Sequence, residues 1–219
     1  MNELNASIRA IPIPDRMRRL PISATGYPVP WFVKWLNGEP DFRIVDAPKV
    51  GRAVRANLCW LCGQTLGRHK AFVIGPMCAV NRVSSEPPCH RDCAEYAVKA
   101  CPFLTKPKMR RNDKDRPTEG VEPAGVMIQR NPGVSLIWIT NGYTTFRADG
   151  GSLFKIGPPE QVHFYAEGRK ATRAEVLASI ETGLPLLREV AERQGHEAIV
   201  ALEHQTRAAM MLVDTALAA

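Results

Sequence analysis

Between positions 125 and 165 the apolar residues fall in short runs, at 125–130, 134–140, 143–148, 152–156 and 161–165. Each run is rich in β-branched and aromatic residues, which suit a pleated surface, so each reads as a strand. Turn residues separate them: Asn131-Pro132-Gly133, Asn141-Gly142, Asp149-Gly150-Gly151 and Gly157-Pro158-Pro159. The Asn141-Gly142 pair can supply the two positive-φ residues of a type I′ hairpin turn, and the whole stretch predicts an antiparallel meander of four or five strands.

After Gly168 the period becomes helical. Thr172 and Glu175 form a capping box ahead of Ala174, Val176, Leu177 and Ile180, and Gly183 reads as a stop signal. A second helix over 184–194 is expected to begin near Pro185 and to end at Gly195. A last helix is expected over about 196–218. In it Ile199, Leu202, Thr206, Ala209, Val213 and Ala216 recur at spacings of three and four, which makes one face a packing seam. So short and Ala-rich a seam suits packing on its own sheet better than self-association.

The N-terminal region has neither period. Seven of the 18 prolines fall in residues 1–50, each fixing φ and removing a backbone donor, so long regular structure is excluded there. The region reads as an extended arm anchored by Trp31, Phe32, Val33, Trp35, Leu36 and Phe42. Residues 51–105 carry all six cysteines. Residues 106–123, with six basic and four acidic side chains and no apolar period, read as a charged linker or loop extending to about 124. The expectation is an α+β protein divided into 1–50, 51–105, 106–124 and 125–219. No internal repeat is visible.

At 219 residues and 45% hydrophobic composition the chain can bury a core of its own. No apolar run approaches the roughly 20 residues of a membrane span, and the first 20 residues do not resemble a secretory leader, so a soluble cytoplasmic protein is expected. The net charge is +7 and lopsided: residues 1–124 hold 20 Lys and Arg against 12 Asp and Glu, and the remainder is close to neutral. A basic N-terminal half predicts an anionic partner, with nucleic acid ahead of an acidic protein surface. The candidate contacts are Arg52, Arg55, Arg68, Lys70, Arg82, Lys106, Lys108, Arg110 and Arg111.

The sharpest chemistry lies among the cysteines, whose clustering favours metal over a disulfide framework. Cys59-Trp60-Leu61-Cys62-Gly63 is a knuckle in which two thiolates can converge on one ion while the glycine lets the backbone turn over the sulfurs. Downstream, Pro87 and Pro88 precede a helix-forming run in which His90 and Cys93, three apart, project to one side. Cys59, Cys62, His90 and Cys93 are therefore the expected zinc ligands. Cys89 is the alternative to His90. Cys78 and Cys101, in apolar settings, read as inert buried thiols.

A C-x-x-C-G knuckle followed by a helix carrying two ligands in its first turn resembles a treble-clef zinc finger. That resemblance covers residues 55–101 and implies a β-hairpin between the knuckle and the helix. The phrases CWLCGQTLG, FVIGPM, EPPCHRDCAEYA and CPFL also resemble an uncharacterised set of phage or prophage proteins. Four ligands close the coordination shell, which implies structural rather than catalytic zinc.

A zinc deaminase is excluded, because Pro88-Cys89 is followed by a cysteine at +4 rather than +3 and no H-x-E motif precedes it. No phosphate-binding glycine loop occurs. An HNH-like metal-dependent nuclease would use His69, in the expected hairpin, as its base, with Asn81 following, although the Asp-His pair of that family is absent. The resulting expectation is a zinc-stabilised, nucleic-acid-associated binding protein. A phage-borne protein-binding adaptor or inhibitor and the nuclease are the alternatives.

Overall fold

The fold is that of a computed structural model describing residues 2–107, 109, 131–148 and 151–218. It is mixed α+β, with antiparallel sheets and C-terminal helices. The strand expected over 125–130 and most of the charged segment 106–124 lie outside the described residues.

Short elements populate the proline-rich region: a 3-10 turn at Asp15–Met17 and a hairpin of β1 (Val33–Leu36) and β2 (Glu39–Val45). Helix α1 (Ala47–Arg55) follows directly. Asn37 and Gly38, at φ 50° and 85°, close the hairpin by occupying the two left-handed positions that a two-residue loop needs. Trp31, Phe32 and Val33 do anchor this region, but Trp35 and Phe42 do not: they are 44% and 45% exposed toward the hairpin tip.

The centre of the fold is a four-stranded antiparallel sheet in the order β3 (Lys70–Ile74), β5 (Ser135–Thr140), β8 (Gln161–Ala166), β9 (Arg169–Lys170). Every residue of β5 is buried, because both faces of the sheet are covered. Leu136 and Trp138, with Phe72 and Phe164, face a core closed by the C-terminal helices. Ile137 and Ile139, with Ala71 and Tyr165, face a second core containing Cys59, Trp60 and Cys93. This alternation is that of a strand sandwiched between two layers, which is why its sequence reads as one continuous apolar run.

The single meander expected over 125–165 is instead divided. A second sheet holds β4 (Val83–Ser84), β7 (Gly151–Ile156) and β6 (Tyr143–Ala148) in that order. Asn141-Gly142 does not form the expected hairpin: neither residue has a positive φ, and β5 and β6 belong to different sheets. The cause is edge occupancy. β5 pairs with β3 on one side through Leu136–Thr140 and with β8 on the other through Ser135–Ile139, so no edge is left for β6.

Helices α2 (Pro76–Asn81), α3 (Arg91–Ala100) and α4 (Pro102–Thr105) lie between β3 and β5 in the chain. The capping box forms at Thr172 and Glu175, but α5 (Arg173–Gln194) is one helix of 22 residues that runs through Gly183 and Pro185. Gly183 is not a stop. A Cβ there would lie 2.6 Å from Met77 Sδ, so the missing side chain lets α2 approach α5 closely. At φ 104° Gly195 does end the helix, and α6 (His196–Leu217) folds back along α5 and α2 with Ala209 and Val213 buried in the seam. Among the described residues no helix is long and apolar enough to cross a membrane.

Candidate metal centre

Two local structures bring the cysteine segment together. In the first, Cys59 N–H donates to Gln64 O at 2.7 Å and Gly63 N–H to Cys59 O at 2.9 Å, closing a tight loop. Gly63 sits at φ 73°, and any Cβ would lie 2.6 Å from the Trp31 ring, so only glycine fits both the turn and the covering indole. In the second, Cys89 exchanges backbone hydrogen bonds with Ala71 at 2.7 and 2.9 Å, and α3 begins at once with His90 as its N-cap and Cys93 in its first turn. Trp60 N–H donates to Pro88 O at 3.0 Å and joins the two halves.

The ligand atoms of Cys59, Cys62, His90 and Cys93 all lie within 4.8 Å of one another, and all four residues are buried. Cys62 Sγ is 3.4 Å and Cys93 Sγ 4.0 Å from His90 Nδ1. The backbone N–H groups of Cys62 and His90 each reach Cys59 Sγ at 3.4 Å. His90 Nε2 stands 3.0 Å from Thr65 O, and because a carbonyl only accepts, that nitrogen carries the hydrogen. Nδ1 is thereby the ring atom that faces the sulfurs and that would offer its lone pair to a metal displacing its proton.

Cys89 points elsewhere. Its thiol donates to Ala71 O at 3.1 Å, since adjacent residues in an extended segment face opposite ways. Burial pushes the Cys89 thiol well up, and burial raises Cys78 and Cys101 in the same direction, which disfavours their thiolate forms. None of the six cysteines is in a disulfide.

The protonation of the four groups is interlocked through their hydrogen bonds. Burial works against charge on Cys59, but hydrogen bonds from Cys62, Cys93 and His90 outweigh it and hold that thiol far below its usual range. Hydrogen bonding to the Cys59 and Cys62 sulfurs, with burial, drives Cys93 strongly upward. Burial opposes a charged His90 ring, yet the same two sulfurs raise it to about 10.

Sequence reasoning missed the residues that frame the cluster. Asp92 Oδ1 accepts Cys93 N–H at 3.0 Å, and Asp92 Oδ2 accepts Arg16 Nε at 2.9 Å. Gln64 Nε2 donates to Arg16 O at 3.0 Å. Asp92 was visible between His90 and Cys93 as a carboxylate in a first helical turn. No local pattern marks Arg16.

The hairpin implied between the knuckle and the helix is not formed. β3 pairs with β5, β4 pairs with β7, and α2 lies between them, and β3 meets the residues before α3 through the Ala71–Cys89 bridge. His69 and Asn81 lie at opposite ends of β3 and α2 rather than together. His69 Nδ1 is 2.7 Å from Glu160 Oε2, whose other oxygen accepts from Asn141 Nδ2. Asn81 Oδ1 accepts Val83 N–H at 3.0 Å.

The basic candidates are dispersed. Arg52, Arg55, Arg68 and Lys106 are exposed. Arg52 stacks over Trp31 beside the knuckle, whereas Arg82 stacks over Trp138, whose ring belongs to the core on the other face of the central sheet. Lys70 Nζ donates to the carbonyls of Gly67 and Arg68 at 3.1 Å each. Lys108, Arg110 and Arg111 lie outside the described residues.

No family model matches this chain, and neither a curated protein nor a solved structure matches it.

Proposed function

We propose that the protein is a zinc-stabilised binding protein in which Cys59 and Cys62 of the knuckle and His90 and Cys93 at the start of α3 hold one structural zinc. The observation that carries this reading is the convergence of four buried ligand atoms within 4.8 Å. Three sulfurs and one imidazole nitrogen match the donor softness and number of a tetrahedral zinc site. A complete protein shell leaves no position for an attacking water, so the metal would hold shape and perform no chemistry.

Nucleic acid is the partner we assign, supported by the net charge of +7 and by the exposure of Arg52, Arg55, Arg68 and Lys106. Such a surface acts by neutralising phosphates without reading bases. The test is elemental analysis for one zinc per chain, together with titration of single- and double-stranded DNA and RNA at several salt concentrations. Absence of zinc from folded protein refutes the metal reading, and affinity indifferent to salt refutes the partner.

One observation favours a protein-binding adaptor as a second reading. Trp35 and Phe42 stand exposed near the tip of the β1–β2 hairpin, and apolar aromatic surface of that kind suits a protein partner. The nuclease reading has no comparable support, because His69 pairs with Glu160 and neither belongs to the four-residue cluster.

A further inference from the structure

Arg16 touches both halves of the cluster at once. Its carbonyl accepts from Gln64, two residues beyond Cys62, and its guanidinium donates to Asp92, the neighbour of Cys93. A third polar contact, from Trp31 N–H to Leu61 O at 2.8 Å, enters the knuckle itself. These three contacts carry residues 2–31 to the chain beyond α1, and each ends within two residues of a cluster member.

The packing follows the same route. Phe32 stacks on Trp60 at 4.9 Å with the rings 9° from parallel, and Trp31 meets Trp60 edge-on at 6.4 Å. Trp31 also covers Gly63, and Ile8 and Met17 are buried in the same core as Cys59 and Cys93. The hydrogen bonds inside the arm, such as Asn5 N–H to Gly26 O and Val29 N–H to Pro21 O, fold it on itself without attaching it to the body.

We infer that the N-terminal arm is a metal-gated cover: its docking requires the knuckle and the first turn of α3 to be held together, and Arg16 is the positioning residue that couples the two. This rests on the zinc reading of the cluster. A metal ion fixes the separation of the two halves, and Arg16 can satisfy Gln64 and Asp92 together only at that separation. Losing the ion leaves the halves joined by hydrogen bonds such as Trp60 N–H to Pro88 O, which do not fix the separation of Gln64 and Asp92, so residues 2–31 are released and Trp31, Phe32 and Trp60 bared. The central sheet survives because its opposite face is closed independently by α5 and α6. Linkage makes the effect reciprocal: if zinc holds the arm down, the docked arm tightens zinc by the same factor.

The experiment uses the full chain, with zinc content measured before and after chelation and hydrogen exchange followed residue by residue. On chelation, the amides of Asn5, Ser23, Val29 and Trp31 are expected to exchange at least ~10-fold faster while those of Phe72 and Ile137 are unchanged. In the Arg16→Gln variant, still carrying one zinc, the arm is expected to exchange faster and zinc affinity, read by chelator competition, to fall by a similar factor of about 10. Arg16→Lys, which can still donate to Asp92, should restore part of both. A protein that never binds zinc overturns the metal reading and the gate with it. A protein that binds one zinc but keeps its arm equally protected without it overturns the gate alone, as does a central sheet that opens together with the arm. Arm release in Arg16→Gln with zinc affinity unchanged also overturns it.

Discussion

His90 Nε2 lies 3.0 Å from Thr65 O, and that contact turns Nδ1 toward the sulfurs of Cys62 and Cys93. The neighbouring Cys89 thiol is meanwhile occupied by Ala71 O. His90→Ala is therefore expected to release zinc, whereas Cys89→Ala should keep one zinc per chain and lose only the packing of a small buried side chain. Cys62→Ser and Cys93→Ser are expected to lose zinc and to unfold the knuckle and the N-terminal residues docked on it while the central sheet persists, because metal-binding energy is folding energy at such a site. Elemental analysis alongside circular dichroism checks all four variants, and zinc retained by His90→Ala but lost by Cys89→Ala reverses the assignment.

Gly63 supports the same loop through its backbone. At φ 73° with the Trp31 ring 2.6 Å from any Cβ, Gly63→Ala combines left-handed strain with a clash. A loss of about 2–4 kcal/mol is expected in denaturant unfolding. The control is Gly38→Ala, also at positive φ but with open space around it, which should show the strain alone, at about 1–2 kcal/mol.

Identical dipeptides show how much of this fold could be read from the chain. Asn37-Gly38 closes a hairpin and Asn141-Gly142 does not. The difference lies in what the flanking strands do elsewhere: among the described residues β1 pairs with β2 alone, whereas β5 has both edges filled by strands distant in sequence. Signals completed within one turn were legible, as at Thr172 with Glu175 and in the Cys59–Cys62 spacing. Gly183 was misread as a stop because its reason is Met77, about a hundred residues away. Trp35 and Phe42 were misread as anchors because apolar composition cannot say which end of a hairpin projects from the core. At the metal centre the four clustered residues were visible through their spacing, and Arg16 was invisible because its role exists only once the halves have met.

The capping box carries a pH dependence. Hydrogen bonds from Arg169, and then from Thr172, hold the Glu175 carboxyl at about 2, below the roughly 4.3 of a free glutamate. A depressed folded pKa means that the contribution is complete above the unfolded value and is lost as pH falls from about 4.3 toward about 2. A carboxyl NMR titration should place Glu175 below the other glutamates, and Arg169→Ala should move its midpoint up. A Glu175 titration midpoint at or above that of a free glutamate contradicts the cap.

If Arg52, Arg55 and Arg68 neutralise phosphates, each change to Ala should weaken binding about equally across sequences and lower the salt slope by up to about one unit. Sequence preference should barely move. Charge reversal of Arg68, Lys70, Lys108, Arg110 and Arg111 together tests the wider basic set. Unchanged affinity after that reversal removes nucleic acid as the partner and promotes the protein-binding reading carried by Trp35 and Phe42.

Catalysis gives the last test. An HNH-like base would need a catalytic metal beside it, yet the clustered metal-ligand residues are Cys59, Cys62, His90 and Cys93, and His69 is not among them. The His69 imidazole instead leans on Glu160 at 2.7 Å, linking the residue before β3 to the residue before β8 at the rim of the sheet. An exposed pair of this kind contributes about 0–1 kcal/mol. Purified protein with magnesium or manganese is therefore expected to cut neither single- nor double-stranded DNA, and His69→Ala should leave zinc content, fold and nucleic-acid binding unchanged. Divalent-ion-dependent cleavage that disappears in His69→Ala, with one zinc still bound, would make the protein a nuclease with a structural zinc and end the binding-only reading.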